Sequence, residues 1–283
     1  MGLVPLFLVL GAAGAHAGWN LIAKRSGGGL GFVWLCAVVD VGLYAPAALV
    51  QALLRPGAVS WTGVGFMAGS GLLHAGYFNA LQLGYAEGDL SLVYPLARGT
   101  GPLLSVIGAI VILGERASAL ALAGAALIVV AILSLTRGAR RAGAGRAILL
   151  AILTGGFIAA YTVWDAHAVS ALHQPVIVYF WGAEAVRSGL LAPLALRRCA
   201  ELRSVWQTQK RSVFGVALLS PGAYILVLTA LTLASVIFVA PAREISIVVG
   251  ILLGANILGE GRVIQRTLAG VAILAGIVLL TVG

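Results

Sequence analysis

The chain has 283 residues, 61% of them hydrophobic and only 10% charged, and its mean hydropathy is +1.06. Soluble domains carry roughly 25% charged residues, so an ordinary water-soluble globule, a disordered chain and a collagen-like repeat are excluded, as is a membrane β-barrel with its alternating ~10-residue segments. The formal net charge of +9 sits mainly in short loops between apolar runs, which points to orientation in a bilayer rather than to nucleic acid.

A transmembrane helix needs about 20 mostly apolar residues. Runs of that kind predict ten spans, at 3–23, 32–54, 62–86, 90–113, 117–136, 146–165, 174–196, 212–233, 237–258 and 266–282. The first lacks a basic segment ahead of it, so it is expected to be a retained span and not a cleaved signal peptide. It carries His16, Trp19 and Asn20 and stops at Lys24-Arg25-Ser26-Gly27. The second holds a lone acid, Asp40, and ends at Arg55-Pro56-Gly57. Asp40 either meets a donor from another span or belongs to a proton path. In the third, His74 and Tyr77 have i, i+3 spacing and share a helix face. The fourth contains Tyr94, Pro95, Arg98 and Pro102, and Gly114-Glu115-Arg116 follows it. The fifth is apolar throughout and ends in a basic run from Arg137 to Arg141.

The sixth span closes on Trp164-Asp165, which places Asp165 near a helix end. The seventh carries Trp181 and an i, i+3 pair, Glu184 and Arg187, which are expected to neutralise each other. Residues 197–211 are expected to form the one long loop. The eighth span has Pro221-Gly222 and Tyr224; the ninth has Pro241, Arg243 and Glu244. Trp34, Trp61 and Trp206 fall near span edges, where tryptophan anchors at the membrane interface. Glycine pairs at i, i+4, namely Gly14/Gly18, Gly65/Gly69 and Gly250/Gly254, suggest close helix packing. Cys36 and Cys199 follow no metal spacing and are expected to be free thiols.

The loop cations give an orientation. Thirteen fall on one side (Lys24, Arg25, Arg137, Arg140, Arg141, Arg146, Arg197, Arg198, Arg203, Lys210, Arg211, Arg262, Arg266), against Arg55 and Arg116 on the other. The richer side is expected to be cytoplasmic, which leaves both termini outside.

The chain also resembles itself. A shift of 145 residues lays Trp19-Asn20 on Trp164-Asp165, Arg98 on Arg243, and Leu113-Gly114-Glu115 on Leu258-Gly259-Glu260. Two five-helix units, 1–137 and 146–283, follow. Because five is odd, the second enters the membrane from the opposite face. Inverted repeats of this kind are a transporter architecture, with the site near the bilayer midplane.

Three stretches then carry a family resemblance. Leu92-Val93-Tyr94-Pro95-Leu96-Ala97-Arg98 running to Leu113-Gly114-Glu115-Arg116, and Ala240-Pro241-Ala242-Arg243-Glu244-Ile245-Ser246 running to Leu258-Gly259-Glu260, resemble the EamA family of the drug/metabolite transporter superfamily. His16-Ala17-Gly18-Trp19-Asn20 with Lys24 is similar to a first-helix pattern of one EamA branch. At a distance the chain resembles the amino-acid exporters of that family, the YddG type. The resemblance implies ten helices, two EamA repeats, export, and a central cavity lined mainly by the third, fourth, eighth and ninth helices.

Within that frame the candidate substrate-binding residues are His74, Tyr77, Tyr94, Arg98, Trp164, Tyr224, Arg243 and Glu244. Arg98 and Arg243 lie about eight residues into their helices, counted from Leu90 and Ser235, roughly 12 Å deep, each after a proline that can break the helix and free N–H groups for an anion. They either attract a substrate carboxylate or lock helix geometry through carbonyls and acids. Glu244 either partners Arg98 or binds a cation. The tyrosines offer apolar walls with a hydroxyl and a face for ammonium, and His74 offers a ring nitrogen to bond substrate. Trp164 either anchors at the interface or forms a gate. Glu115 and Glu260 suit helix N-termini.

No phosphate loop, zinc helix or nucleophile elbow is present, so no enzyme activity and no cofactor are expected. The expected partners are a small-molecule substrate and the lipid bilayer of the cell (inner) membrane, for a chain acting as a monomer. The expected function is export of small metabolites, amino acids foremost, by alternating access. The alternative is multidrug or organic-cation efflux.

Overall fold

The computed structural model describes residues 2–26, 29–55, 57, 59–87, 93, 96–101, 103–104, 107, 118–136, 144–234, 236, 239 and 263–282. Among these there is no β-strand. Helix α1 spans Leu3–Arg25, α2 Leu30–Leu54, α3 Trp61–Glu87, α4 Ala119–Thr136 and α5 Ala144–Ala166. A single π-helical turn, His167–Ala171, extends α5; α6 spans Val176–Leu196, α7 Cys199–Leu233 and α8 Val263–Val282. Residues 96–101 are helical as well, and the predicted ninth span falls almost wholly outside the described residues.

Three helical stretches, Leu30–Leu54, Gly145–Ala171 and Cys199–Leu233, are long and apolar enough to cross a membrane, and shorter apolar helices accompany them. Large apolar side chains also stand exposed in rows. Leu122 and Val130 on α4, Leu149 and Leu153 on α5, and Leu268 and Val271 on α8 all face outward. Water would penalise such surfaces; acyl chains would not.

Two boundaries differ from the sequence expectation. Residues 199–211 are helical, not loop: α7 begins at Cys199 and bends at Gln209, whose φ of −128° and ψ of 16° leave the helical region. The early turn is held from outside, since Glu201 Oε1 accepts the Gly31 N–H of α2 at 2.9 Å. Pro221 lies inside α7 without ending it. The sixth span runs on through the π-turn to Ala171, and Asp165 is the next-to-last residue of α5, near its end as expected, where the α-helix passes into that turn.

The chain divides into two compact units. The first comprises Met1–Ala75 and Trp164–Ala234, the second Gly76–Val163 and Ser235–Gly283. In the first, α1 lies along α7, and α2 packs on both α6 and α7. Phe32, Cys36, Val205, Val213 and Val216 form a core there. Gln51 of α2 supplies the missing cap of α6, its Oε1 accepting the N–H groups of Ile177 at 3.0 Å and Val178 at 3.1 Å. In the second unit α4 lies along α8. A Cβ at Gly276 would stand 2.7 Å from the Gly124 carbonyl oxygen, so only glycine permits that approach.

Neither described glycine pair packs closely at both of its members. Gly14 and Gly65 face open space, Gly18 makes ordinary contact with Leu219, and Gly250 and Gly254 lie outside the described residues. Gly69 alone of these meets a close neighbour, the Trp164 ring. Both cysteines are free, as expected.

Candidate functional site

The polar centre of the first unit is built around Asp165, which is fully buried. Oδ1 accepts the Tyr179 hydroxyl at 2.6 Å, and Oδ2 accepts the hydroxyl of Tyr224. Three segments, the α5 end, α6 and α7, thus converge on one carboxylate. Tyr179 is also fully buried, and its hydroxyl lies 3.4 Å from the Phe66 carbonyl oxygen. Removing a carboxylate from water is costly unless donors replace the lost hydration. Two phenolic hydroxyls do that here without adding charge.

The rings around this acid form a continuous wall. His74 of α3 meets Tyr224 edge-on, with ring centroids 5.4 Å apart at 77°. Its Nδ1 lies 2.9 Å from the Ser70 carbonyl oxygen; a carbonyl can only accept, so Nδ1 carries the proton in that contact. The Phe180 ring stands 6.2 Å from Tyr224 and 6.0 Å from Tyr44. On the neighbouring face Trp164 stacks on Phe66 at 4.5 Å, and Phe66 stacks in turn near His167 at 5.6 Å.

The backbone explains why Trp164 points this way. Its Nε1–H donates to the Phe66 carbonyl at 2.9 Å. Its six-membered ring lies across Gly69, where a Cβ would fall 2.5 Å from Cζ2. Glycine at 69 is what lets the indole approach α3 this closely.

A second polar group in the same unit joins α2 to α6. Arg187 is ion-paired with Glu184 one turn away, as their spacing predicts, and its Nη2 stands 3.9 Å from Asp40 Oδ2. Asp40 therefore has a cation from another span beside it, at ion-pair but not hydrogen-bond distance. Trp34 and Trp181 flank the group. Trp34 donates to the Ser188 carbonyl at 3.0 Å and Trp181 to the Val41 carbonyl at 2.9 Å. Trp34 is therefore an interhelical bond as well as a candidate anchor, whereas Trp61 is 92% exposed.

Of the candidate residues, His74, Trp164 and Tyr224 belong to the first unit, and the His74–Tyr224 ring contact brings two of them together. Tyr77 belongs to the second unit, where it packs edge-on against Tyr161 at 5.7 Å. Arg98 is buried in that unit, 5% exposed, on the helical residues 96–101. Tyr94, Arg243 and Glu244 lie outside the described residues. Sequence reasoning missed Asp165, Tyr179, Ser70 and Phe66 as site residues. The available signal was the repeat, which lays Asp165 on Asn20 and so marks an acid at a position of internal symmetry. Among the described residues no group of three or more His, Cys, Asp or Glu side chains could hold a metal ion.

No family model matches the chain, and neither does any curated protein. One solved crystal structure aligns with 98% of this chain and 96% of its own length, at a TM-score of 0.68 and 17% sequence identity. The two chains share a fold. At that identity the likeness extends to architecture and no further.

Proposed function

We propose that the chain is a secondary transporter of a small metabolite with a cationic amine, an amino acid or related zwitterion foremost, and that it works in the cell (inner) membrane. The observation that carries this reading is Asp165: a fully buried carboxylate held by Tyr179 and Tyr224 inside helices of membrane-spanning character. Ionisable groups are expensive at membrane depth and mark substrate or ion pathways there. The hydroxyls that hold the acid can be exchanged for an ammonium group, and the Tyr224, Phe180 and His74 rings supply the apolar and cation–π contacts an organic side chain needs.

The internal repeat supports the same reading. Ten spans in two inverted repeats, 1–137 and 146–283, give two exchangeable halves and hence access from either side in turn. The EamA resemblance supplies the direction, export. From the sequence, Arg98 and Arg243 are the proposed partners of a substrate carboxylate.

The test is flux in proteoliposomes with a panel of amino acids and amines, with and without a pH gradient. Saturable flux of an amine-bearing solute, lost in Asp165→Asn protein of unchanged thermal stability, is the expected result. No flux of any panel member by folded wild-type protein would refute the proposal.

Organic-cation efflux is the second reading, and the burial of Asp165 among aromatic rings favours it. Resistance to lipophilic cations on overexpression, without amino-acid flux, would select it.

A further inference from the structure

The Asp40–Glu184–Arg187 group has an uneven charge count: two carboxylates and one guanidinium. Asp40 is 4% exposed and Glu184 7%. Both acids lie against the same Arg187 nitrogen, Nη2, so the two carboxyl groups share one cation. Two buried carboxylates on one guanidinium leave one negative charge uncompensated if both ionise, and a proton on one of them removes it. A further observation points the same way. Asp40 Oδ1 is buried and has no hydrogen-bond partner among the described residues. An anionic Asp40 would leave a charged oxygen without a donor, whereas a neutral acid leaves only a carbonyl oxygen, which tolerates this far better.

Among the described residues the surroundings offer no second cation. On α2 itself the titratable neighbours are Cys36 and Tyr44, both neutral in their ordinary forms. From α6 come Glu184 and Arg187 alone. On α7, Lys210 and Arg211 are exposed, and the helix meets Tyr44 through the Leu218 carbonyl, which accepts the phenolic hydroxyl at 2.9 Å. Among the described residues no group of three or more His, Cys, Asp or Glu side chains stands here to hold a metal ion, whereas two carboxyl groups suffice for a proton.

We propose that Asp40 and Glu184 form a proton-binding site, holding one proton between them with Arg187 balancing the remaining charge, and that this proton is the coupling ion of the transporter. Only an O–H bond forms or breaks: the proton is taken from water on one side and returned to it on the other. The site is distinct from Asp165, whose hydroxyl donors are both tyrosines. The coupling role rests on the transport reading; the binding of the proton does not.

Two measurements on the full-length protein separate these claims. Infrared difference spectra across a pH step should show a protonated-carboxyl band in wild type that shifts in heavy water. The band should be lost in Asp40→Asn and in Glu184→Gln, either of which keeps the shape of the neutral acid, and retained in Asp165→Asn. Absence of the band in wild type, or its loss only in Asp165→Asn, overturns the site. In proteoliposomes, Asp40→Asn should lose accumulation driven by a pH gradient while retaining counterflow exchange of the same solute. Unchanged gradient-driven accumulation in that variant, or accumulation driven by sodium instead, overturns the coupling role. A wild type without flux defeats the transport reading, and the infrared result still decides the site.

Discussion

Asp165→Ala removes the acceptor that Tyr179 and Tyr224 share. A hydrogen bond to a charged group contributes about 1.5–3 kcal/mol, so two such bonds set the loss at about 3–6 kcal/mol. The lower part of that range is expected, because the Tyr179 hydroxyl can turn to the Phe66 carbonyl, 3.4 Å away. The cost comes from donors left in an apolar interior more than from the missing carboxylate. Replacing both tyrosines by phenylalanine should therefore be costly in the wild-type background and nearly neutral in the Asp165→Ala background. The coupling should exceed about 1 kcal/mol for residues in direct contact. Denaturant unfolding in mild detergent, followed through tryptophan fluorescence, measures all the corners of the cycle, and Trp164 is adjacent in the chain as a reporter. Equal cost of the phenylalanine substitutions in both backgrounds would refute the shared-acceptor account.

Three further outcomes are expected. Gly69→Ala places a methyl group 2.5 Å from the Trp164 ring, so the indole must move, at an overpacking cost of about 1–3 kcal/mol; an unchanged Trp164 emission spectrum and midpoint would contradict this. Arg187→Met leaves two buried carboxylates without their cation and should destabilise by about 3–5 kcal/mol, with part of the loss recovered by adding Glu184→Gln; a neutral single variant would show that the arginine balances no charge. Gln51→Leu strips the cap from two N–H groups at the start of α6 and should cost about 1–2 kcal/mol, detected as faster amide exchange at Ile177 and Val178; unaltered exchange there would dismiss the cap.

Helix positions were largely legible from hydropathy, because a bilayer-length apolar run admits few other structures. The predicted spans 32–54, 62–86 and 174–196 differ from α2, α3 and α6 by at most two residues at either end. Local pairing was legible too: Glu184 and Arg187 are one turn apart on a single helix. Contacts across the chain were not. Asp165 receives its two hydroxyls from residues 14 and 59 positions away, and without those donors an acid at the close of an apolar run reads only as a helix end. Polar composition likewise made 197–211 look like a loop, although polar residues are good helix formers once Glu201 ties the turn to α2. Glycine spacing identifies a shared face but not what lies opposite. Gly69 therefore packs where Gly65, one turn earlier, does not.

The paired indole bonds of Trp34 and Trp181 have a mechanical consequence. They run in opposite senses, one from α2 to α6 and one from α6 to α2. Sliding either helix by a single residue, about 1.5 Å, would strip both at once. The two helices thus behave as one stiff beam, latched at two points seven residues apart, and any rearrangement of this unit must carry them together and bend elsewhere, with the break at Gln209 the place already built to yield.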